Sequence, residues 1–542
     1  MKKCKIILCG FLVIVMLFGC SNNAANKENG LESITVKDLK HHLEFLSADE
    51  FLGRDTPSNE LKIASQYLAK MAKNYGLKPL MPNNSYFQLM PLKTTRISAS
   101  ETSITLITKS GNKVYKYLED FGIGDSDVSS GIIKGDLLFL GLGHQTLDNT
   151  WDDLKDKNIT GKVVVILDAD LPRTHALRSD GTGMLLRARA KKLTELGAEA
   201  VIKIIDNKRE KQFQEEEYQF ITNKKSSVLN KAKIDSIEAK LSYNSIEVRH
   251  QMASDILGIS TQEINNMFVE LKKGNQIDGH DILNKTIHIK VQVDKGEDNS
   301  RNVLAYIEGS NPKLKDEFVI LGAHYDHIGI SENGVFNGAN DNGSGTVGLL
   351  ETAQAMSAQN PERSVLFVWF TGEEKGLWGS KYFVANSPIP LEKISAVINL
   401  DVISGTDMDK VTVTGGEVLS STLENLISEA SKNKLKLDYM KETPSTYQFF
   451  FTRSDHFPFL MNGIPSVWLG AHSDDDNHVH HVNDTAEAVN FEKMEKITKL
   501  SYLLGLEIAN YPTMMSLDVN PSITKRGAHN TDFDWQKEIK KN

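Results

Sequence analysis

Three short apolar segments, each followed by side chains that can bind a metal ion, constrain the fold of this chain more than any other feature. In chain order they are 318–322 followed by His324, 365–370 followed by Glu373 and Glu374, and 396–400 followed by Asp401. A fourth apolar segment lies at 466–469, and helical patterns such as 347–356 and 419–432 separate the four. The alternation predicts the α/β class, with a mainly parallel mixed sheet flanked by helices. Because sites in open α/β sheets form at the carboxyl ends of strands, we expect these polar side chains at one sheet edge.

A glycine-rich turn and a late group of histidines add further polar side chains. Residues 338–345 read Gly-Ala-Asn-Asp-Asn-Gly-Ser-Gly and open a helical segment, so the turn would hold Asp341 in a fixed place. The turn lacks the Gly-Lys-Ser/Thr ending of a phosphate-binding loop. Histidines crowd the stretch 477–485. Each piece alone has an ordinary structural reading, such as a turn residue or a solvated helix start, but their joint occurrence in this order argues against coincidence.

Together these segments resemble the dinuclear-zinc aminopeptidase family, whose members include bacterial leucyl aminopeptidases, aminopeptidase Y and glutamate carboxypeptidase. The resemblance covers roughly residues 38–510 and implies the zinc exopeptidase fold. The matching motifs are Ala-His-Tyr-Asp-His at 323–327, the glycine-rich turn at 338–345, Gly-Glu-Glu-x-Gly at 372–376, Asn-Leu-Asp at 399–401, Ser-Asp-His-x-Pro-Phe at 454–459 and His-x-x-x-Asp-Thr at 480–485.

The resemblance implies a site for two Zn²⁺ ions per chain. The implied ligands are Asp341 bridging both ions, His324 and Asp401 completing one site, and Glu374 and His480 completing the other. Glu373 would be the general base rather than a ligand, and Asp326 would orient His324 by accepting its second ring N–H. His480 is preferred to its neighbouring histidines because the family histidine lies four residues before an Asp-Thr pair.

The donor types by themselves also favour zinc. Imidazole nitrogen and carboxylate oxygen are common zinc ligands. The only cysteines are Cys4, Cys9 and Cys20, so the rest of the chain offers no thiolate ligand. Two neighbouring zinc ions would activate a shared water, and Glu373 would take its proton, which predicts a hydrolase.

The sequence favours an aminopeptidase, which removes N-terminal residues from peptides. A carboxypeptidase or dipeptidase on the same scaffold is the main alternative. It would need a cation for the terminal carboxylate, and Arg453 is the nearby candidate, with His456 as a second candidate substrate contact. Glutaminyl cyclase chemistry, which uses one zinc, and a non-catalytic binding protein are disfavoured because the full ligand set and Glu373 are present.

The N-terminus predicts export and a lipid anchor. Three lysines precede an apolar run at 6–18 that is too short to span a bilayer, as in a signal peptide. Residues 17–20, Leu-Phe-Gly-Cys, resemble the lipobox of bacterial lipoproteins, which implies cleavage before Cys20 and acylation of its thiol. We therefore expect an extracytoplasmic protein of the bacterial cell envelope, anchored to the membrane through Cys20. A plain secretory signal is the alternative.

The charge of the chain bears on its partners. The formal net charge is −9, from 62 basic and 71 acidic residues, which argues against a nucleic-acid partner. Peptide substrates and the membrane are the expected partners, and the sequence indicates no oligomeric state.

Changes of pattern predict the domain organisation. Short apolar runs with glycine-rich turns begin near residue 122, and 159–164 and 196–201 resemble the protease-associated domain, a β-rich insert of secreted peptidases. The predicted segments are a signal peptide at 1–19, a flexible tether at 20–32, the first part of the peptidase domain at 33–121, the insert at 122–257, the catalytic domain at 258–510 and a polar tail at 511–542. Apolar periodicity also predicts helices at 38–51 and 61–75.

Overall fold

The four apolar segments predicted as strands are strands in the structure, a computed structural model. It describes residues 27–123, 130–146, 148–169, 171, 175, 177, 189–212, 226–229, 246–331, 334–439, 450–472, 478–520, 523 and 525–529. The chain divides into two units, one formed by the described residues up to Pro91 and from Asn299 onward, the other by Leu92–Asp298. The predicted signal peptide and Cys20 lie outside the described residues.

The described strands are numbered β1 to β20 in chain order. They are β1 Lys78–Pro79, β2 Phe87–Ile97, β3 Ser103–Thr108, β4 Gly111–Lys116, β5 Phe121–Ile123, β6 Gly131–Phe139, β7 Val163–Asp168, β8 Ala200–Ile205, β9 Ser226–Leu229, β10 Ile246–Val248, β11 His280–Val291, β12 Val293–Ile307, β13 Phe318–His324, β14 Gly329–Ser331, β15 Gly334–Phe336, β16 Ser364–Phe370, β17 Ile394–Leu400, β18 Lys410–Thr414, β19 Lys436–Asp438 and β20 Ser466–Gly470.

The described helices are numbered in the same way. They are α1 Val36–Leu46, α2 Asn59–Asn74, α3 Arg189–Glu195, α4 Asn207–Gln212, α5 His250–Leu257, α6 Thr261–Lys272, α7 Gly345–Ser357, α8 Trp378–Ala385, α9 Gly416–Leu419, α10 Ser421–Ser431, α11 His456–Leu460 and α12 Phe491–Asn510.

The sheet of the first unit confirms the predicted α/β class. Its strand order is β19-β18-β20-β17-β13-β16-β12-β2, with β1 also on β12. The pairing of β9 with Leu92–Thr95 lies within the second unit. The central strands β20, β17, β13 and β16 run parallel, whereas β12 and β18 are antiparallel to their neighbours β16 and β20. The sheet is therefore mixed, with a parallel centre.

Helices cover both faces of this sheet. Every residue of β16 is buried, and alternate side chains enter different clusters. Phe367 packs with residues of α7 and α12, such as Leu349 and Leu504, whereas Phe370 packs with Phe383 of α8 on the other face. Strands covered on both faces read as continuous apolar runs, which is why they were recognisable from the sequence.

Local capping explains the ends of the first two long helices. α1 starts before the predicted residue 38 because the Thr35 hydroxyl accepts a hydrogen bond from the Asp38 backbone N–H at 3.2 Å. It ends at Leu46 rather than near residue 51, where a separate 3₁₀ segment, Asp49–Arg54, follows. α2 corresponds to the predicted 61–75, and Gly76 follows it with a positive φ of 81°.

Two segments predicted as polar appendages pack on the first unit where they are described. Residues 27–33 are helical, and the Tyr502 hydroxyl donates to the Lys27 carbonyl at 3.2 Å. The described part of the predicted tether is thus ordered against α12. Met515, in the predicted polar tail, is buried, and its N–H donates to Ser395 Oγ at 3.1 Å.

The second unit contains its own sheet, with strand order β4-β3-β11-β6-β7-β8-β10-β5. Because β3, β4 and β11 pair into this sheet, the unit extends on both sides of the predicted insert at 122–257. The two segments on which the protease-associated prediction depends, 159–164 and 196–201, lead into strands β7 and β8, which begin at Val163 and Ala200.

Within the described part of the chain, no helix is both long enough and apolar enough to be a membrane span.

Candidate metal centre

Three adjacent parallel strands bring the predicted site residues to one edge of the first unit's sheet. β13 lies between β16 and β17 and runs parallel to both. His324 is the last residue of β13, Asp401 directly follows β17, and Glu373 and Glu374 follow β16 after a two-residue turn. The carboxyl ends of these strands meet, as the position of their polar residues predicts.

The first group of possible ligands contains His324, Asp341 and Asp401. His324 Nε2 lies 3.2 Å from Asp401 Oδ1 and 3.5 Å from Asp341 Oδ1. One donor atom from each of the three residues lies within 4.8 Å of the other two, and all three side chains are buried. This spacing allows all three to contact one cation.

The second group shares Asp341 with the first. His480 Nε2 lies 3.2 Å from Asp341 Oδ2 and 3.0 Å from Glu374 Oε2. His327, to which the sequence analysis gave no role, also belongs to this group, with Nδ1 2.8 Å from Glu374 Oε1. Asp341 therefore stands between two sets of donors, one oxygen facing each.

The glycine-rich turn holds Asp341 through a carboxylate from a distant segment. The turn runs through Ala339–Ser344, and Gly338 before it has a φ of 58°. The buried Asp484 carboxylate accepts hydrogen bonds from the backbone N–H of Asn340 at 2.7 Å and of Asp341 at 3.0 Å. Burial raises the pKa of Asp484 to about 6. The segment that supplies His480 therefore also fixes the turn.

Arg54 connects the two loops that carry His324 and Asp341. Its buried guanidinium makes four hydrogen bonds to backbone carbonyls, namely Nε to Tyr325 at 2.9 Å, Nη1 to Leu46 at 2.7 Å and Asn337 at 2.8 Å, and Nη2 to Gly338 at 2.9 Å. Burial lowers the pKa of Arg54 to about 10, against the opposing effect of nearby carboxylates that include Asp484 and Asp326. One charged side chain thereby satisfies carbonyls at the end of α1 and in two loops.

Asp326 has a different set of contacts from the one predicted. The backbone carbonyl of Asp326 lies 3.1 Å from His324 Nδ1, whereas its carboxylate oxygen lies at 3.7 Å. The carboxylate accepts hydrogen bonds from the Glu373 backbone N–H and the Thr56 hydroxyl, each at 3.1 Å. Asp326 thus orients the imidazole mainly through its main chain and fixes the Glu373 loop through its side chain.

A polar chain behind β17 orients Asp401. The Ser454 hydroxyl donates to Asp401 Oδ2 at 2.6 Å, and Asn399 Nδ2 donates to Ser454 Oγ at 2.7 Å. The free oxygen of Asp401 is then the one that faces His324. Hydrogen bonds of this kind fix the orientation of a ligating carboxylate.

Carboxylates dominate the electrostatics of the centre. Burial raises the pKa of Glu373 well above its usual value, and the neighbouring Glu374 and Asp401 raise it further, against the effect of His324. Burial alone would lower the pKa of His324, but Asp401 and Glu373 outweigh it and raise that pKa well above the usual value. Burial alone would raise the pKa of Glu374, but the hydrogen-bonding effects of His327 and His480 outweigh burial and lower that pKa.

The residues present fit divalent cations. Buried carboxylates are costly unless they are paired or bind metal, and here they converge in two groups around Asp341. Imidazole nitrogens and carboxylate oxygens in groups of three are the donor set of catalytic zinc. The geometry therefore matches the chemistry that the sequence predicts.

A cavity of about 520 Å³ opens onto both groups of donors. Phe450, Trp468 and His472 form an aromatic wall, with ring centroids 4.8 to 6.0 Å apart. Arg453, the predicted cation for a substrate carboxylate, also lines the cavity. The space can accept an apolar side chain next to the metal centre.

His456 does not line this cavity. Its side chain is fully buried in α11, with its ring 5.7 Å from Trp468 and 6.0 Å from Phe451. Burial lowers the pKa of His456 to about 3, so the imidazole is neutral. The candidate role of His456 as a substrate contact is replaced by a packing role behind the aromatic wall.

The comparisons with known proteins agree with this geometry. Residues 302–504 match the family model described as Peptidase family M28, in agreement with the resemblance that the motifs carry. Aminopeptidase YwaD of Bacillus subtilis (strain 168) is 30% identical over 208 residues, which are 36% of this chain and 42% of that protein. A probable leucine aminopeptidase 2 of Aspergillus oryzae is 31% identical over 189 residues, 34% of this chain and 36% of that protein. The chain thus spans less than half the length of these curated relatives.

Two solved structures extend the similarity in fold to most of the chain. An aminopeptidase from Aneurinibacillus sp. strain AM-1 has a TM-score of 0.52 and 19% identity, covering 91% of this chain and 98% of its own. A zinc aminopeptidase from Bacillus subtilis also has a TM-score of 0.52, with 17% identity and coverage of 91% and 99%. At this identity the similarity establishes the fold.

Proposed function

We propose that this chain, whose residues 302–504 carry a peptidase family M28 domain, is a zinc-dependent aminopeptidase that binds two zinc ions. The observation that carries the proposal is the pair of donor groups that share Asp341, with Glu373 beside them. His324, Asp341 and Asp401 would hold one ion, and Asp341, Glu374 and His480 the other. The relatives, an aminopeptidase and a probable leucine aminopeptidase, support the same activity.

When bound, zinc supplies Lewis-acid chemistry, because it polarises a peptide carbonyl and makes water acidic enough to lose a proton near neutral pH. The chain's own contribution to proton transfer is Glu373. Its Oε2 lies 4.0 Å from His324 Nε2, and its backbone N–H is fixed by Asp326. Glu373 accepts the proton of the attacking water and delivers it to the departing amine nitrogen. Its raised pKa suits a group that must hold this proton between the two steps.

The cavity favours peptides with an apolar first residue. The aromatic wall of Phe450, Trp468 and His472 would contact the side chain of that residue. The free amine would be anchored by the carboxylates around the centre, which carry excess negative charge. A carboxypeptidase would instead place the terminal carboxylate on Arg453, the one observation that favours this second candidate.

A substrate comparison tests the proposal. Purified enzyme is incubated with leucine p-nitroanilide, its N-acetylated form, and an N-acetylated dipeptide with a free carboxylate. We expect release only from the free-amine substrate, abolished by a chelator and restored by zinc, because the centre accepts a cationic amine. Cleavage of the N-acetylated dipeptide alone would establish the carboxypeptidase, and Arg453→Met would then remove it. Chelator-insensitive hydrolysis would contradict the role of zinc.

We also propose that the enzyme is exported, anchored through Cys20, and that its second unit is a protease-associated domain. Expression of the full chain in a bacterium, followed by detergent-phase partitioning, tests the anchor. We expect the wild-type protein in the detergent phase and Cys20→Ser in the aqueous phase, because acyl chains on that thiol hold it in lipid. Cys9→Ser is the matched control and should partition like wild type. Detergent-phase partitioning of Cys20→Ser would contradict the anchor.

A further inference from the structure

His327 lies against the second group of ligands, and neither the motifs nor the proposed mechanism assigns it a role. Its side chain is fully buried, with Nδ1 2.8 Å from Glu374 Oε1. Asp341 Oδ2 is farther away, at 3.9 Å from Nδ1. Neither ring nitrogen makes a well-aligned hydrogen bond among the residues that the structure describes, so the Nδ1 contact with Glu374 Oε1 is close in distance but bent, and Nε2 has no hydrogen-bond partner there. Of the two carboxylates, Glu374 is therefore the nearer to this imidazole, and a small rotation of either side chain would align the hydrogen bond.

The position of the ring is fixed from two sides. The His327 backbone N–H donates to the Arg54 carbonyl at 3.2 Å. The ring packs directly on Gly338, where a Cβ would lie 2.4 Å from its Cγ atom. Gly338 is itself held by Arg54 Nη2 at 2.9 Å. The imidazole is thus placed by the same network that places the glycine-rich turn.

We propose that His327 is a positioning residue that donates a hydrogen bond from Nδ1 to Glu374 Oε1. This bond fixes the Glu374 carboxylate in the orientation required by the second zinc position, with Oε2 left facing His480. The inference rests on the two-zinc function proposed above. Such hydrogen bonds to ligating groups typically contribute ~10–100-fold to metal affinity.

Direct binding of the metal by His327 is the competing role, and the structure disfavours it. Asp341, Glu374 and His480 already supply three protein donors, and a catalytic zinc site keeps its remaining position open. If Nδ1 bound a metal, the proton would move to Nε2, where it would be a buried donor without an acceptor. A buried N–H without a partner is rarer and costlier than an unused lone pair.

Two substitutions separate these roles. The amide nitrogen of Asn is as many bonds from Cα as Nδ1 of histidine, so His327→Asn keeps a donor in place but offers zinc a poor ligand. His327→Leu removes the donor and keeps an apolar side chain against Gly338. His41→Leu, at an exposed histidine of α1, is the matched control. The two zinc dissociation constants are measured by competition with a chromophoric chelator, and the visible spectrum of the Co²⁺ form reports the number of ligands.

We expect His327→Leu to weaken the second zinc ~10–100-fold and His327→Asn to restore most of that affinity, with the Co²⁺ band intensity preserved in both. His41→Leu should bind zinc like wild type. Equal losses in the two His327 variants, with a changed Co²⁺ spectrum, would assign His327 as a ligand and overturn the inference. Unchanged affinity in His327→Leu would also overturn it. If the wild-type chain binds fewer than two zinc ions, the proposed two-zinc function itself fails, and the inference fails with it.

Discussion

Glu373→Gln is expected to lower kcat on a free-amine peptide substrate by on the order of 10³-fold while zinc content stays unchanged. Glutamine keeps the size and the backbone hydrogen bond to Asp326, but it cannot accept and return a proton. Because the Glu373 carboxylate lies 4.0 Å from Nε2 of the proposed ligand His324, its replacement should leave both proposed ligand sets intact. Steady-state kinetics beside metal analysis measure the two effects separately.

Two matched variants define the interpretation of that result. Glu374→Gln changes the adjacent proposed ligand and should lose zinc as well as activity. Glu429→Gln changes an exposed glutamate on α10 and should behave like wild type. A Glu373→Gln enzyme that retains more than about a tenth of wild-type kcat would contradict the general-base assignment.

Arg54→Met is expected to lower the free energy of unfolding by about 4 kcal/mol. The substitution leaves four backbone carbonyls without their donor, one at the end of α1 and three in the loops that carry Tyr325 and Gly338. Each buried acceptor left unsatisfied costs roughly 1–3 kcal/mol, of which relaxation and water entry recover part. Urea unfolding of the zinc-free enzyme measures the loss independently of metal binding.

Charge and hydrogen-bond geometry are separated by a second variant at the same position. Arg54→Lys keeps the positive charge near the carboxylates, but an ammonium group cannot reproduce the planar fork of donors, so we expect partial recovery. Lys70→Met, at an exposed position of α2, controls for the loss of a cation and should change stability by less than about 0.5 kcal/mol. Equal stability of Arg54→Met and Lys70→Met would refute the role of Arg54.

The strands and the main site residues were accessible from the sequence for a physical reason. Strands buried on both faces are continuous apolar runs, and their carboxyl ends carry His324, Glu374 and Asp401. The donor groups observed around Asp341 contain all five predicted ligands. A short-range pattern was sufficient to predict these site residues because parallel pairing places the ends of strands that are far apart in sequence next to each other in the sheet.

The residues that hold the site residues in place through hydrogen bonds and packing could not be predicted from the sequence. Arg54 lies 271 residues from the carbonyl of Tyr325 that it contacts, and a lone arginine after a helix has no sequence signal for a buried role. Asp484 and His327 stood inside recognised motifs, but their partners lie on other segments. Histidine is a common residue type in active sites, so the sequence suggested a site role for His456. Only the packing of its ring against Trp468 shows that it lies behind the cavity. Roles that depend on long-range hydrogen bonds require the fold.

The boundaries of the second unit illustrate the same limit. The sequence pattern changes near residue 122, but the second unit begins at Leu92. Strands β3 and β4, before residue 122, and β11, after residue 257, hydrogen-bond into its sheet. Strand pairing between segments about 180 residues apart, such as Ser103 with Lys290, leaves no mark in the local sequence. Alternation of apolar residues locates strands but does not assign them to a sheet.

Stepwise return of zinc to the metal-free enzyme tests the central claim most directly. Zinc is added in fractions of an equivalent, and bound metal and the hydrolysis rate of leucine p-nitroanilide are measured at each step. The two donor groups that share Asp341 predict saturation at two zinc ions per chain, with activity that requires zinc. Full activity of the metal-free chain, or the absence of tight zinc binding, would contradict the account.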